Sequence, residues 1–506
     1  MPSKMSFFHS ALSKKSFTRF SLLWIAYTVV WFFVVPVQML TYHDEYFSMS
    51  YHILTSGIEF GSIINFIYAI CVSMALYSYL FSTRSIYTIA ALPIQRKTMY
   101  CTHYFSGILF CVLPMTFILA SGFLINLALG HQVSLELLCL FAMSVLEFLF
   151  FFSFATFCAM LTGHIVMLPA LYVILNFTVV VMESIIRTIL SSFVFGMGAN
   201  TVTLEAFSPL VYLLTHCQTE TICTVTPTFD TAGVYEYQFH HWNYLLILAA
   251  VGILFAAIGF FLYKKRRMEA AGDVIAVKAL RPVFKYCFTI GCSCVIGLLI
   301  AQILLNRSVE LGIYPVQVTI CLLLGGFIGY FGAEMLLQKT LRVWKGHWLG
   351  FGVFSLCLLC FIFSMEWDIF GYERYVPERE NIQSVTLSCS NSEATIENEN
   401  YISDIVMWHQ ALVTDKAHQE AMTKADTDVY SWILNINLVY HLENGKSVPR
   451  EYRLVVNEEE WNNENSIIHQ FDSFFNSPEF LLLINEDLFS CGPAPVSYTH
   501  LPNTSQ

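Results

Sequence analysis

Two acids stand inside long apolar runs: Glu147 within "LCLFAMSVLEFLFFFSF" and Glu183 within "VILNFTVVVMESIIRTIL". A carboxyl group in hydrocarbon costs about 2.5 kcal/mol or more unless it faces protein, water or a partner. Each acid therefore marks either a path for a polar substrate or proton, or a structural contact. For Glu147, near mid-run, both readings stand open; Glu183 lies near the end of its run, where a carboxylate can snorkel to the headgroups, and that reading is preferred. The densest positive cluster, "LYKKRRMEAAGD" (Leu262 to Asp273), follows directly on another uncharged run. "NGKS" at Asn444 to Ser447 lacks a phosphate loop's first glycine, since Tyr440 stands at that position,. Neither an HExxH zinc site nor a GxSxG nucleophile elbow occurs,. His240 and His241 adjoin an apolar boundary and read as interfacial polar residues, not metal ligands,. No catalytic, cofactor-binding or metal site is read in the chain, and any nucleotide hydrolysis falls to a separate subunit.

The elements that position these residues are membrane helices. The chain has 506 residues, 56% of them hydrophobic and only 12% charged, where a soluble chain carries roughly 25% charged residues. A helix of about 20 apolar residues crosses a hydrocarbon core of ~30 Å. About nine such runs are predicted: 21–40, 61–81, 105–129, 137–161, 165–186, 243–263, 286–305, 315–337 and 349–365. The first is too long for a signal-peptide core and lacks a small-residue cleavage site, so no cleavable signal is expected. The pair at 137–186 has only Thr162, Gly163 and His164 between its runs; as a re-entrant hairpin it would remove two crossings together and leave the final side unchanged.

Charge sets the expected orientation, because cytoplasmic connections keep Lys and Arg. One side collects Lys4, Lys14, Lys15, Arg19, Arg84, Arg96, Lys97, the cluster in 264–283, Lys339, Arg342 and Lys345; the other has only Arg187 and Arg307. The amino terminus is expected inside, and the region after the ninth run outside. Residues 1–20 alternate Phe and Leu with lysines, which suits an amphipathic cytoplasmic segment lying on lipid or, equally, a disordered basic tail,. The transmembrane body spans 21–365, with expected cytoplasmic connections at 82–104 and 264–285. An external connection at 187–242 contains the short apolar piece "LEAFSPLVYLL" (Leu204 to Leu214) and two cysteines, Cys217 and Cys223, which would pair only in an oxidising compartment,. Gly325, Gly329 and Gly332 carry spacing that lets helices pack closely,.

Beyond 365 the idiom changes. Residues 366–506 hold 23 Asp and Glu against 7 Lys and Arg, which argues against nucleic acid as partner. "IQSVTLSCS" reads as a strand, Asn444–Gly445 between two alternating runs as a hairpin turn, and the stretch ending near Phe475 as a helix,. The fold class is therefore a polytopic α-helical membrane protein with a C-terminal α+β extracytoplasmic domain over 366–490. Residues 491–506, ending "VSYTHLPNTSQ", have no periodic pattern and resemble translated adapter sequence.

Three stretches, "ALPIQRKTMY", "YKKRRMEAAGDVI…LRPVFKY" and "DIFGYERYVP", together resemble the permease subunits of bacterial ABC-2-like ABC transporters with an extracytoplasmic C-terminal domain. The resemblance covers nearly the whole chain to about residue 485. It implies a multi-pass cytoplasmic-membrane permease, a separate cytoplasmic ATPase subunit, and a second permease copy or paralogue. It also implies a coupling helix against the ATPase, carried here by Arg84, Ile86, Tyr87, Leu92, Pro93, Arg96 and Lys97. Arg266, Arg267 and Glu269 are expected to form a second contact at that subunit's surface, or to anchor to lipid headgroups. Three added spans and the outer domain depart from the six-span pattern, so direction and path of transport are not inherited. The expected function is translocation or clearance of an amphipathic compound such as a peptide antibiotic, lipid or drug. The alternatives are a membrane-anchored sensor with an external ligand-binding domain, and a polytopic membrane enzyme.

Overall fold

The computed structural model describes residues 8–41, 49–82, 84–85, 93–130, 133–198, 204–225, 234–266, 281–305, 315–344, 346–389, 392–425, 432–457, 461–464 and 466–476. The chain is a polytopic α-helical membrane protein with a C-terminal mixed α/β domain. Among the described residues, nine helices are long and apolar enough to cross a bilayer. In lipid the backbone must satisfy its own polar groups, so an uncharged run of this length has helix as its one spanning solution.

In chain order, α1 (Ser10–Arg19) precedes the first long helix, α2 (Ser21–Thr41). Then come α3 (Met49–Phe81), α4 (Arg96–Leu129), α5 (Ser134–Leu161) and α6 (Met167–Ser191). A short helix, α7 (Pro209–Thr215), and a two-stranded antiparallel hairpin, β1 (Glu220–Val225) with β2 (Val234–Gln238), lead to α8 (Trp242–Lys265). The remaining long helices are α9 (Arg281–Leu305), α10 (Pro315–Gln338) and α11 (Trp348–Glu366). Residues on either side of 162–166 form two separate helices, each long enough to cross.

α3 and α4 run to 33 and 34 residues, about 50 Å at 1.5 Å per residue, which outreaches a ~30 Å core. Both begin well before the predicted apolar runs. Glu59 lies within α3, and Arg96 and Lys97 make the first turn of α4. Polar residues hide a helix that continues beyond the hydrocarbon, because hydropathy registers only its apolar middle. Pro36 sits in α2, where the backbone widens to a π-turn over Phe33–Val37; proline removes one N–H and crowds the preceding turn,.

Two compact units are distinguishable. The first comprises Met1–Val181, Thr203–Cys287 and Gly332–Val343. Its centre is α5, packed against α3, α4 and α8 through a fully buried aromatic core that includes Phe148, Phe151 and Phe152. α1 lies along α4 by its serine face: Ser106 Oγ donates to Ser13 Oγ at 2.8 Å, and the His9 N–H donates to Thr102 Oγ1 at 3.0 Å.

The second unit comprises Met182–Val202, Phe288–Phe331 and Trp344–Gln506. Within it α9 and α10 approach so closely that a Cβ on Gly325 would stand 2.6 Å from the Gly297 nitrogen. A Cβ on Gly297 would stand 2.7 Å from the Leu322 Cα. Small residues permit this contact in lipid, and Gly297 completes a seam that the spacing in α10 alone suggested.

The C-terminal domain has strands β3 (Ile382–Cys389), β4 (Ser392–Ile396), β5 (Trp432–Leu442) and β6 (Ser447–Val456), all antiparallel in the order β4-β3-β5-β6. Gly445 turns the β5–β6 hairpin with φ 75°, and Asn444 Oδ1 accepts the Lys446 N–H at 2.9 Å. Helices α12 (Glu399–Thr414) and α14 (Ile467–Phe475) cover the sheet, burying Ile402, Ile405 and Phe471 against Val385, Leu387 and Leu438. Between them in sequence, α13 (Lys416–Ala425) packs against β6.

Candidate functional site

The richest polar construction in the first unit gathers four helix ends. α8 stops at Lys265, and Arg266, only 9% exposed, turns its side chain inward. Nη1 donates to the carbonyls of Ala159 (2.7 Å) and Met160 (3.4 Å), and Nη2 donates to the Leu80 carbonyl (3.3 Å). Those carbonyls lie in the last turns of α5 and α3, where no helical N–H is available. They also carry the negative ends of the helix dipoles, so a guanidinium suits them in charge as well as in hydrogen bonding. Arg96, in the first turn of α4, donates from Nη1 to the Arg266 carbonyl at 3.1 Å. Nearby, the Tyr79 and Tyr263 hydroxyls pair at 3.0 Å, and Tyr100 donates to the Ala256 carbonyl at 2.7 Å. α3, α4, α5 and α8 are thus tied at one point by two arginines, Arg266 and Arg96.

Arg266, expected at a partner's surface or at lipid headgroups, has its guanidinium turned into the protein. Helix-end carbonyls without N–H partners draw the guanidinium into the protein. Of the other residues expected at the ATPase, Arg96 joins the knot, while Arg84, Pro93 and Lys97 are exposed. Ile86, Tyr87, Leu92, Arg267 and Glu269 lie outside the described residues, as do residues 491–506.

Glu147, fully buried on α5, meets only neutral donors among the described residues. Ser62 Oγ donates to Oε1 at 3.0 Å and Asn65 Nδ2 to Oε2 at 2.9 Å. Ser62 and Asn65 are three apart on α3 and so share a face. Asn65 Oδ1 in turn accepts from the Tyr27 hydroxyl at 2.7 Å, which brings α2 into the same network. Asn65 Nδ2 also donates to the Ser144 carbonyl at 3.4 Å, and the cluster joins three helices.

Glu183 pairs with Arg187 one turn later on α6, with Arg187 Nη2 at 2.9 Å and Nε at 3.0 Å from Oε1. Arg187 belongs to that helix and not to the connection beyond it. A third intramembrane acid, Glu334 on α10, was missed. It accepts from Lys285 Nζ at 2.9 Å and from Gln338 Nε2 at 3.0 Å. Its signal was present in "GYFGAEM", where the glycines drew attention away from the acid.

The C-terminal domain has its own buried polar core. His409 on α12 stands between two tyrosines, with Nδ1 2.8 Å from the Tyr440 hydroxyl and Nε2 2.6 Å from that of Tyr452. Burial, with the Arg450 charge beside it, pushes the imidazole down to about 3. The ring is therefore neutral at ordinary pH, donating to one tyrosine and accepting from the other. Arg450 Nη2 donates to the Tyr372 and Tyr375 carbonyls, each at 2.8 Å, and the guanidinium lies 3.8 Å from the Tyr372 ring centroid. Glu373 accepts the Phe195 N–H at 2.8 Å and receives Lys416 Nζ at 2.6 Å. These contacts fasten the sheet to the segments that follow α6 and α11.

Cys217 carries a free thiol. Among the described residues no group of three or more His, Cys, Asp or Glu is placed to hold a metal ion. Comparison with protein-family models, with curated proteins and with solved structures returned no match, so the functional reading rests on the chain's own residues.

Proposed function

We propose that the chain is the permease subunit of an ATP-binding cassette transporter in a bacterial cytoplasmic membrane. The amino terminus and the Arg84–Lys97 connection face the cytoplasm, the C-terminal domain lies outside, and a separate ATPase subunit seats against that connection. A second permease copy or a paralogue completes the membrane part. The substrate is an amphipathic compound, a peptide antibiotic, lipid or drug, translocated or cleared from the bilayer. The observation that carries this reading is the Arg266 knot. It ties α3, α5 and α8 to the first turn of α4, immediately beside exposed Pro93 and Lys97. A push delivered to that connection by a soluble motor reaches four helices at once.

The test is purification of the full chain from its native membrane. A Walker-motif protein is expected to co-elute, and to be lost from an Arg84→Glu, Lys97→Glu double variant whose thermal stability is unchanged. Both residues are exposed, and the unchanged thermal stability required of the variant controls for damage to the knot. Co-elution that survives the double reversal removes the contact from this connection. A chain that elutes with a kinase and no ATPase supports the sensor reading.

A further inference from the structure

Beside α12 and α14, over the sheet of the C-terminal domain, lies a groove of about 320 Å³. Trp408, Phe471 and Phe474 give it aromatic walls, Met407 an apolar edge, and Asp404 and Gln470 its polar atoms. The aromatic wall is held in place before any ligand arrives. The Trp408 indole donates to the Ile467 carbonyl at 2.9 Å, and its ring centre lies 4.7 Å from that of Phe471. Met407 is 61% exposed, on a helix whose neighbouring outward positions are Asp404 and Gln410.

Among the described residues no Lys, Arg or His lines the groove. Asp404 is exposed and has neither an ion pair nor a hydrogen bond among the described residues. Residues 366–506 as a whole carry 23 acids against 7 bases, so the surrounding field also attracts positive charge,. Aromatic faces attract cations through their quadrupoles, and a volume of a few hundred Å³ with few polar groups is the size of a small-molecule site.

We propose that this groove binds a hydrophobic monovalent cation, with its apolar body against Trp408, Phe471 and Phe474 and its charge beside Asp404. The proposal is separable from the permease reading, since binding is measured without ATP or a partner subunit and either can fail alone.

The full chain in zwitterionic nanodiscs is dialysed against tetraphenylphosphonium and, separately, against tetraphenylborate, which has nearly the same shape and the opposite charge. Empty nanodiscs supply the lipid uptake to subtract. The expected result is saturable uptake of one cation per chain and no saturable uptake of the anion. Asp404→Asn is expected to raise the dissociation constant about threefold, and Met407→Lys, at an exposed position that leaves the core intact, more than tenfold. Equal uptake by wild type and Met407→Lys overturns the proposal, as does saturable binding of the anion. Two further results overturn it and assign the groove elsewhere. Cation binding that appears only after the chain is cut behind Asn476 gives the groove to the chain's own apolar residues 480–484. Self-association lost in Met407→Lys, with no cation uptake in wild type, gives it to a second copy.

Discussion

Arg266 and Glu147 are buried ionisable groups in the same helical body, met by partners of opposite kinds. The guanidinium is met by backbone carbonyls at helix ends, whereas the carboxyl group is met by side-chain donors in mid-helix. Helix ends have spare acceptors by construction, and any sequence that ends helices together offers them. In mid-helix the backbone N–H groups are already engaged, so Glu147, an acceptor, depends on the donors Ser62 and Asn65, three residues apart on a neighbouring helix. The guanidinium's partners are backbone groups, and those of the carboxyl group are side chains. The difference teaches that a helix-end arginine is a mechanical tie while a mid-helix acid is a specific lock.

The largest expected effect is at the tie. Arg266→Ala leaves carbonyls on α3 and α5 without their charged donor, a loss of about 3 kcal/mol, read as a fall in thermal stability of the purified chain. Arg266→Lys recovers part of it, because one ammonium cannot reproduce a planar fork reaching two helices. Glu147→Leu is expected to cost about 2 kcal/mol, since buried Ser62 and Asn65 donors lose their acceptor. A Glu147→Leu cost exceeding that of Arg266→Ala breaks the comparison.

The C-terminal domain supplies a version of the same contrast that can be titrated. The folded value for His409 is about 3, below its ordinary 6.5. Between those values the unfolded chain binds the extra proton, so this contribution to stability is full above pH 6.5 and is lost as pH falls toward 3. Unfolding of the domain, followed by tryptophan fluorescence, is expected to become easier by about 1 kcal/mol between pH 6 and pH 5. His409→Gln is expected to flatten that dependence. The smallest effect belongs to Glu147→Gln, below about 1 kcal/mol, because the amide keeps an acceptor and Ser62 can rotate to receive its N–H.

The nine long helices were legible because lipid leaves an uncharged run no alternative to helix. Asn444–Gly445 announced the β5–β6 hairpin for a comparable local reason, since few residue pairs suit its backbone. The starts of α3 and α4 were not legible, as nothing in hydropathy distinguishes a projecting polar helix from a loop. The β1–β2 hairpin was missed although "TICTV" and "VYEYQ" carry β-branched and aromatic residues, because its flanks lack a short turn signal. Glu147 was visible as a residue in need of partners, but Ser62 and Asn65 could be named only once α3 lay against α5. Arg266 looked like one cation in a basic run. Its partners are carbonyls, which every residue has, so no pattern of side chains could reveal the knot.

The ATPase assignment requires that Lys97 and the C-terminal domain lie on opposite faces of the membrane. Lys97→Cys and Asn444→Cys, each in a cysteine-depleted background, place single thiols at exposed positions of the two regions. With a membrane-impermeant maleimide on intact cells, the account predicts labelling of the residue-444 variant at once and of the residue-97 variant only after lysis. Labelling at 97 with protection at 444 would contradict it.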